Sequence, residues 1–163
     1  YMVIGGQAVL LYGEPRLTKD IGITMGVDLA RLPDVLSAVR GMKIMPLVDP
    51  SIFTRETMVL PCADPETGIR VDLIFSFSPF EQLAISRARN VRIGNANVRF
   101  ASVEDLLIHK MIAGRPKDLE DARIILLKNP HSDLAYIRHW LSEFSIRTNE
   151  DYLGRIERIL SVG

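Results

Sequence analysis

Val3-Ile4-Gly5-Gly6-Gln7-Ala8, followed by Arg16-Leu17-Thr18-Lys19-Asp20-Ile21-Gly22, is the stretch on which the fold turns. The apolar run Tyr1–Ile4 predicts a strand that runs straight into two glycines. Residues 6–12 predict a short buried helix that follows at once. Paired glycines let the backbone approach a ligand closely. A helix that starts there turns unpaired N–H groups and a positive dipole end toward the same spot, which suits a triphosphate. A second apolar strand, residues 20–24, begins with an acid. Residues two apart in a strand share a face, so Asp20 and position 22 point the same way. Position 22 is glycine and adds no side chain to that face.

Working outward, Gly13-Glu14-Pro15 reads as a turn. Residues 28–39 carry Leu29, Leu32, Val35, Leu36 and Val39 at helical spacing, with Asp28 as N-cap. Residues 43–47 predict a short strand. Residues 57–61 and 69–75 predict two more, joined by the turn cluster Asp64-Pro65-Glu66-Thr67-Gly68. A helix is expected over 79–88. A hairpin is expected from 91–93 and 98–101 around Gly94-Asn95. At Ser102 the pattern becomes helical. Ser102-Val103-Glu104-Asp105 has the shape of a helix start. Gly114 ends that helix and Pro116 opens the next, which stops at Asn129-Pro130. Two further helices are expected over 134–144 and 151–160. The division is a mixed α/β part over 1–101 and a helical part over 102–163 packed on it.

The chain has 163 residues, is 47% hydrophobic and balances 20 basic against 20 acidic side chains. That is enough to bury a full core and argues against global disorder. Net charge zero supplies no whole-protein pull toward nucleic acid or membrane. The lone Cys62 excludes an intrachain disulfide and a multi-cysteine zinc site, and fits a reducing, cytoplasmic setting. No apolar run approaches a membrane span. The sequence opens on Tyr1 inside a strand, which predicts a lead-in helix upstream.

Asp72 lies in the apolar strand Ile69-Arg70-Val71-Asp72-Leu73-Ile74-Phe75. An acid there needs an ion-pair partner such as arginine, a strand-end hydrogen bond or a metal ion. Gly5-Gly6, Asp20 and Asp72 are each weak signals alone. In this order they are more specific. Together they resemble the DNA polymerase β-like nucleotidyltransferase superfamily, whose pattern is a glycine turn, an Asp-x-Asp or Asp-x-Glu strand and a third Asp on a nearby strand. Within it, Arg16 to Ile21, Val71 to Ile74 and the stretch from Asp105 through Lys110, Gly114-Arg115-Pro116 and Lys117-Asp118-Leu119-Glu120-Asp121 resemble the AbiEii/AbiGii-type toxins of abortive-infection and type IV toxin–antitoxin systems.

The resemblance implies an α+β fold with a mixed sheet and flanking helices, followed by a helical C-terminal part. It implies that Gly5, Gly6, Thr18, Lys110 and Lys117 bind nucleotide, and that Asp20 and Asp72 bind Mg2+ or Mn2+. Lys110, Asp118 and Asp121 complete the catalytic set. It implies transfer of a nucleoside monophosphate from a nucleoside triphosphate to a tRNA end or a protein hydroxyl, with an antitoxin as partner and no membrane. The family's second strand carboxylate falls on Gly22, which predicts weakened metal binding and little transfer. The alternative is a catalytically degenerate nucleotide-binding or protein-interaction module of the same fold.

Other residues have plainer readings. Glu120 suits a helix N-terminus without any function. A solvated side chain is the default for Lys110. His109, His131 and His139 lack metal spacing. Arg87, Arg89, Asn90 and Arg92 form a basic rim that either stays solvated or meets RNA phosphates. Met25, Met42, Met45, Met58 and Met111 read as core filling.

Overall fold

The computed structural model describes residues 1–162. The chain runs β1 (Met2–Ile4), α1 (Gly5–Tyr12), β2 (Asp20–Met25), a 3-10 turn (Leu29–Arg31), α2 (Leu32–Gly41) and β3 (Met45–Pro46). It continues through α3 (Pro50–Thr57), β4 (Val59–Ala63), β5 (Arg70–Phe75), α4 (Pro79–Arg87), β6 (Arg89–Ile93) and β7 (Ala96–Phe100). It closes with α5 (Val103–Ala113), α6 (Pro116–Lys128), α7 (Leu134–Thr148) and α8 (Tyr152–Val162). The strands form one mixed sheet in the order β3-β4-β5-β2-β1-β7-β6. β2 pairs parallel with β5 and antiparallel with β1, and β1 pairs parallel with β7.

Several boundaries depart from expectation for local reasons. Asp28 does cap, accepting from the Ala30 N–H, but it caps a 3-10 turn. Pro33 has no N–H and fits only a first helical turn, so the α-helix proper begins at Leu32. Helix α3 was not expected at all. Its signal is Asp49-Pro50: Asp49 accepts from Ser51 and Ile52 N–H, and Pro50 occupies the first turn. The helix ends on a left-handed Met58, so the strand expected from Thr57 starts at Val59. Strand β3 shrinks to two residues, one of them Pro46, at the sheet edge.

Two hydrophobic clusters hold the layers. The smaller places Leu32 and Val39 of α2 on Leu60, Cys62, Leu73 and Phe75 of β4 and β5. The larger joins β1, α1 and β7 to α4 and the four last helices. Its centre is α5, packed by α1, α6, α7 and α8, with Leu106, Leu107, Ile108 and Met111 fully buried. The methionine expectation holds for Met111 and fails for Met42, Met45 and Met58, which are exposed. Met42 sits at the end of α2, Met45 on the short edge strand and Met58 at the left-handed end of α3.

A buried acid fixes the helical part. Asp105 is fully buried and receives Ser102 Oγ at 2.6 Å, Tyr136 Oη at 2.8 Å and Arg87 Nε at 3.3 Å. Arg87 also lies over the Tyr136 ring at 4.1 Å. Burial, then the bond to Asp105, raises the Tyr136 pKa. These contacts tie α4 and α7 to the start of α5, and they take Arg87 out of the expected basic rim. Among the described residues no helix is long and apolar enough to cross a membrane.

Candidate functional site

The C-terminal end of β1, the N-terminal half of β2, Asp72 and Ile74 of β5, the loop before β2 and the α5–α6 corner enclose a cleft of about 560 Å³. Gly5, Gly6, Thr18, Asp20, Asp72, Lys110, Lys117 and Asp118 all line it. Asp121 is not among the lining residues but touches two that are, Arg16 and Lys110. Residues far apart in sequence meet here because β1 and β2 are antiparallel neighbours and β5 joins β2 from the other side.

The two glycines are required for different reasons. Gly5 has φ +67°, a left-handed conformation that lets β1 turn into α1 without a loop. A Cβ on Gly6 would lie 2.5 Å from Thr18 Oγ1 and 2.9 Å from Thr18 Cβ. Gly6 is therefore what allows the loop carrying Thr18 to lie against the helix start. The Thr18 hydroxyl donates to the Asp20 carbonyl at 3.2 Å. Helix α1 has no side-chain N-cap and no acid in its first turn. Helix α6, whose first residues also line the cleft, has no side-chain N-cap either. The α1 start brings an electropositive end to the cleft, whereas Asp118 in the first turn of α6 offsets that of α6.

Asp72 is directly opposite Gly22, and Asp20 is opposite Arg70. Asp20 and Asp72 are thus diagonal neighbours on one face. Two residues of strand rise and one strand spacing put their α-carbons about 8 Å apart. Among the described residues, neither carboxylate has an ion-pair partner, Arg70 included. Both are oxygen donors of the kind that hold a hard divalent cation beside phosphate. No group of three or more potential ligands exists among the described residues. The donor set therefore fits one cation and does not fit the paired-ion arrangement, because position 22 contributes no oxygen.

Lys110, Asp118 and Asp121 form something other than a row of free catalytic groups. Lys110 is 4% exposed, against the default of a solvated lysine, because α1, α6, α7 and α8 pack around α5. Its Nζ donates to Asp118 at 2.6 Å and to Asp121 at 2.7 Å. Asp121 also receives Arg16 through Nε at 3.1 Å and Nη2 at 3.0 Å. Asp118 receives Arg115 Nε at 2.5 Å. The result is a chain of alternating charge, Arg16–Asp121–Lys110–Asp118–Arg115, that binds the loop before β2 to the α5–α6 corner. Burial pushes the Asp118 carboxyl up, but the hydrogen bonds from Arg115 and Lys110 outweigh it and hold its pKa below the ordinary value. The bond to Asp118 raises Arg115, with smaller help from Asp121 and Asp20.

Arg16 and Arg115 carry no role in the sequence reading, although both stand inside the quoted motifs. Arg115 had a local signal, an acid three residues on at the next helix start. The pairing of Arg16 with Asp121 spans 105 residues and has none. His109 is satisfied, with Nδ1 2.7 Å from the Asp105 carbonyl and Nε2 3.3 Å from Glu81. His131 and His139 are exposed.

No protein-family model and no curated protein matches the chain. A solved structure does: an antigenic nucleotidyltransferase-like protein from Paracoccidioides brasiliensis. It is 16% identical, with a TM-score of 0.54, over 96% of this chain and 83% of that one. The fold is nucleotidyltransferase-like. At that identity the likeness speaks for the fold alone. Nothing in these comparisons reaches the narrower AbiEii/AbiGii-type resemblance, which is one of sequence motifs only.

Proposed function

We propose that the cleft binds a nucleoside triphosphate and that the chain is a nucleotidyltransferase-like protein of low intrinsic transfer activity. One observation carries the reading: a single cleft gathers an uncapped helix start behind two glycines and two carboxylates that form no ion pair among the described residues. The α1 N–H groups and the Gly5-Gly6 turn would hold phosphate oxygens. Asp20 and Asp72 would hold one Mg2+ or Mn2+. Such a cation, when bound, neutralises phosphate charge and acidifies a hydroxyl near it. Asp118 and Asp121 serve the charge chain that positions Arg16 and Arg115 on the cleft wall.

The acceptor class, a tRNA end or a protein hydroxyl, and a role as a toxin with an antitoxin partner come from the motif resemblance. So does a cytoplasmic setting, together with the single reduced Cys62. Gly22 favours the second reading, a nucleotide-binding or protein-interaction module that has lost transfer. Calorimetry with each nucleoside triphosphate, with and without magnesium, tests the site. Binding of at least one triphosphate is expected, weakened by Gly6→Val, which crowds Thr18. Absence of binding under every condition would overturn the reading.

A further inference from the structure

A second hollow, about 610 Å³, lies between α2 and α3 and shares no lining residue with the nucleotide cleft. Leu29, Leu32, Pro33 and Leu36 form one wall, which ends at Arg40. Ser51 and Arg55 of α3 form the other. The first wall repeats at helical spacing, so the hollow is a groove along about three turns. Arg40 and Arg55 stand in the last turns of their helices, where a cation suits the dipole by itself. What is not local is that helices on either side of β3 bring both guanidinium groups to one groove. The chain joining the two walls also leaves large apolar side chains in solvent. Met42, Met45, Leu47, Ile52, Phe53 and Met58 are each at least 37% exposed, all within residues 42–58. Scattered exposed hydrophobics need no explanation, whereas such a concentration marks a contact surface. This surface is larger than a small molecule covers.

We propose that this groove docks an acidic, amphipathic helical segment of a partner protein, with apolar side chains along the leucine wall and carboxylates on Arg40 and Arg55. The charge of the surface selects that occupant. Over residues 29–58, Arg31 is taken by Asp34, and Asp49 accepts the N–H groups of the helix it caps. Among the described residues Arg40, Lys43 and Arg55 form no ion pair, against the single unpaired acid Glu56. A second copy of the chain would set this cationic patch against itself across a two-fold axis. An acidic partner neutralises it, and guanidinium groups take carboxylates in paired, charge-assisted hydrogen bonds. Apolar side chains three and four apart on a docked helix match the spacing of the leucine wall. Strand β5 separates this surface from the nucleotide cleft, with Leu73 toward α2 and Asp72 toward the cleft. The docked segment therefore leaves the cleft open, and the proposal stands or falls apart from the nucleotide reading.

The probe is a displayed library of random peptides about 16 residues long, enough for four turns of helix. It is selected against the whole chain, and the enriched peptides are synthesised and titrated by fluorescence anisotropy. Expected are sequences with apolar residues three and four apart beside Asp or Glu. Their affinity should fall about tenfold in Arg40→Glu and in Arg55→Glu, the scale of one hydrogen bond between charged groups. Ile52→Ser should weaken it by less. Arg40, Arg55 and Ile52 are exposed, so these variants keep the fold. A saturating nucleoside triphosphate with magnesium should leave peptide affinity unchanged. No enrichment, enrichment of basic peptides, or equal binding to both arginine variants would overturn the proposal. So would displacement of the peptide by the triphosphate, which would put it in the cleft. A single-stranded RNA bound more tightly than any peptide and lost in Arg40→Glu would replace the acidic segment with nucleic acid. A dimer in sedimentation that Arg40→Glu dissolves, without peptide binding, would make the surface a contact between copies.

Discussion

Gly22 is the residue at which the resemblance and the chemistry of this chain separate, and its surroundings show that a carboxylate can be put back. A Cβ at position 22 would meet Ile4 Cγ1 at 3.3 Å and the Ile4 carbonyl oxygen at 3.7 Å. The nearer contact is a half-buried side chain that yields by a few tenths of an ångström, not a backbone wall. Because position 22 is opposite Asp72 in a parallel pair, a side chain there projects onto the carboxylate face. Gly22→Asp is therefore expected to fold and to bind magnesium more tightly by calorimetry. Nucleoside monophosphate transfer to RNA, or self-labelling, should rise by several powers of ten if a second cation removes several kcal/mol from the barrier. Asp72→Asn in the same background should cancel both gains. A folded Gly22→Asp protein with unchanged magnesium affinity would mean that position 22 does not govern the site.

At the scale of elements, the α5–α6 corner matters most, and its salt-bridge chain yields a stability prediction. In Lys110→Met the central cation is gone, and two nearly buried carboxylates face each other with one arginine each. Breaking a buried pair costs about 3–5 kcal/mol, and the remaining arginines place this case near the lower end. The Asp118 pKa is depressed in the folded protein, so its contribution is present above the unfolded value of 3.8 and is lost as pH falls through the depressed one. Without Lys110 the depression shrinks and the loss begins at higher pH. Urea melts from pH 7 down to pH 3 should show a lower midpoint for Lys110→Met and an acid limb shifted upward. This corner was half legible in the sequence. Gly114 and Pro116 marked the break between helices, and the acids marked the helix start. The burial of Lys110 was not legible, because the spacing of Leu106, Leu107 and Met111 describes one apolar face and not a helix surrounded by four others. The β2–β5 face was legible through its period of two, whereas α3 was missed although Asp49-Pro50 announces a helix start.

For the whole molecule, the order of the strands is what the local patterns did not contain. Nothing in residues 1–25 shows that β5 joins β2, or that β7 returns beside β1 to deliver α5 to the cleft. That topology makes the cleft a junction between the sheet, the loop before β2 and the large helical cluster. A ligand there touches β1, β2, β5, α1 and α6 at once. Ligand binding to the folded state alone stabilises it by about 2.7 kcal/mol at one hundred times the dissociation constant. For a chain of this length that corresponds to a melting-temperature rise of about 5–10 °C. A thermal melt with a saturating nucleoside triphosphate and magnesium should show a shift of that size in one cooperative transition. Hydrogen exchange under the same conditions should slow in β1, in the N-terminal turns of α1 and α6, and in the Arg16–Lys19 loop. It should be unaltered in α3 and in the β6–β7 hairpin, which stand away from the cleft. A shift confined to the outer elements, or protection absent from the loop before β2, would place the ligand elsewhere on the molecule.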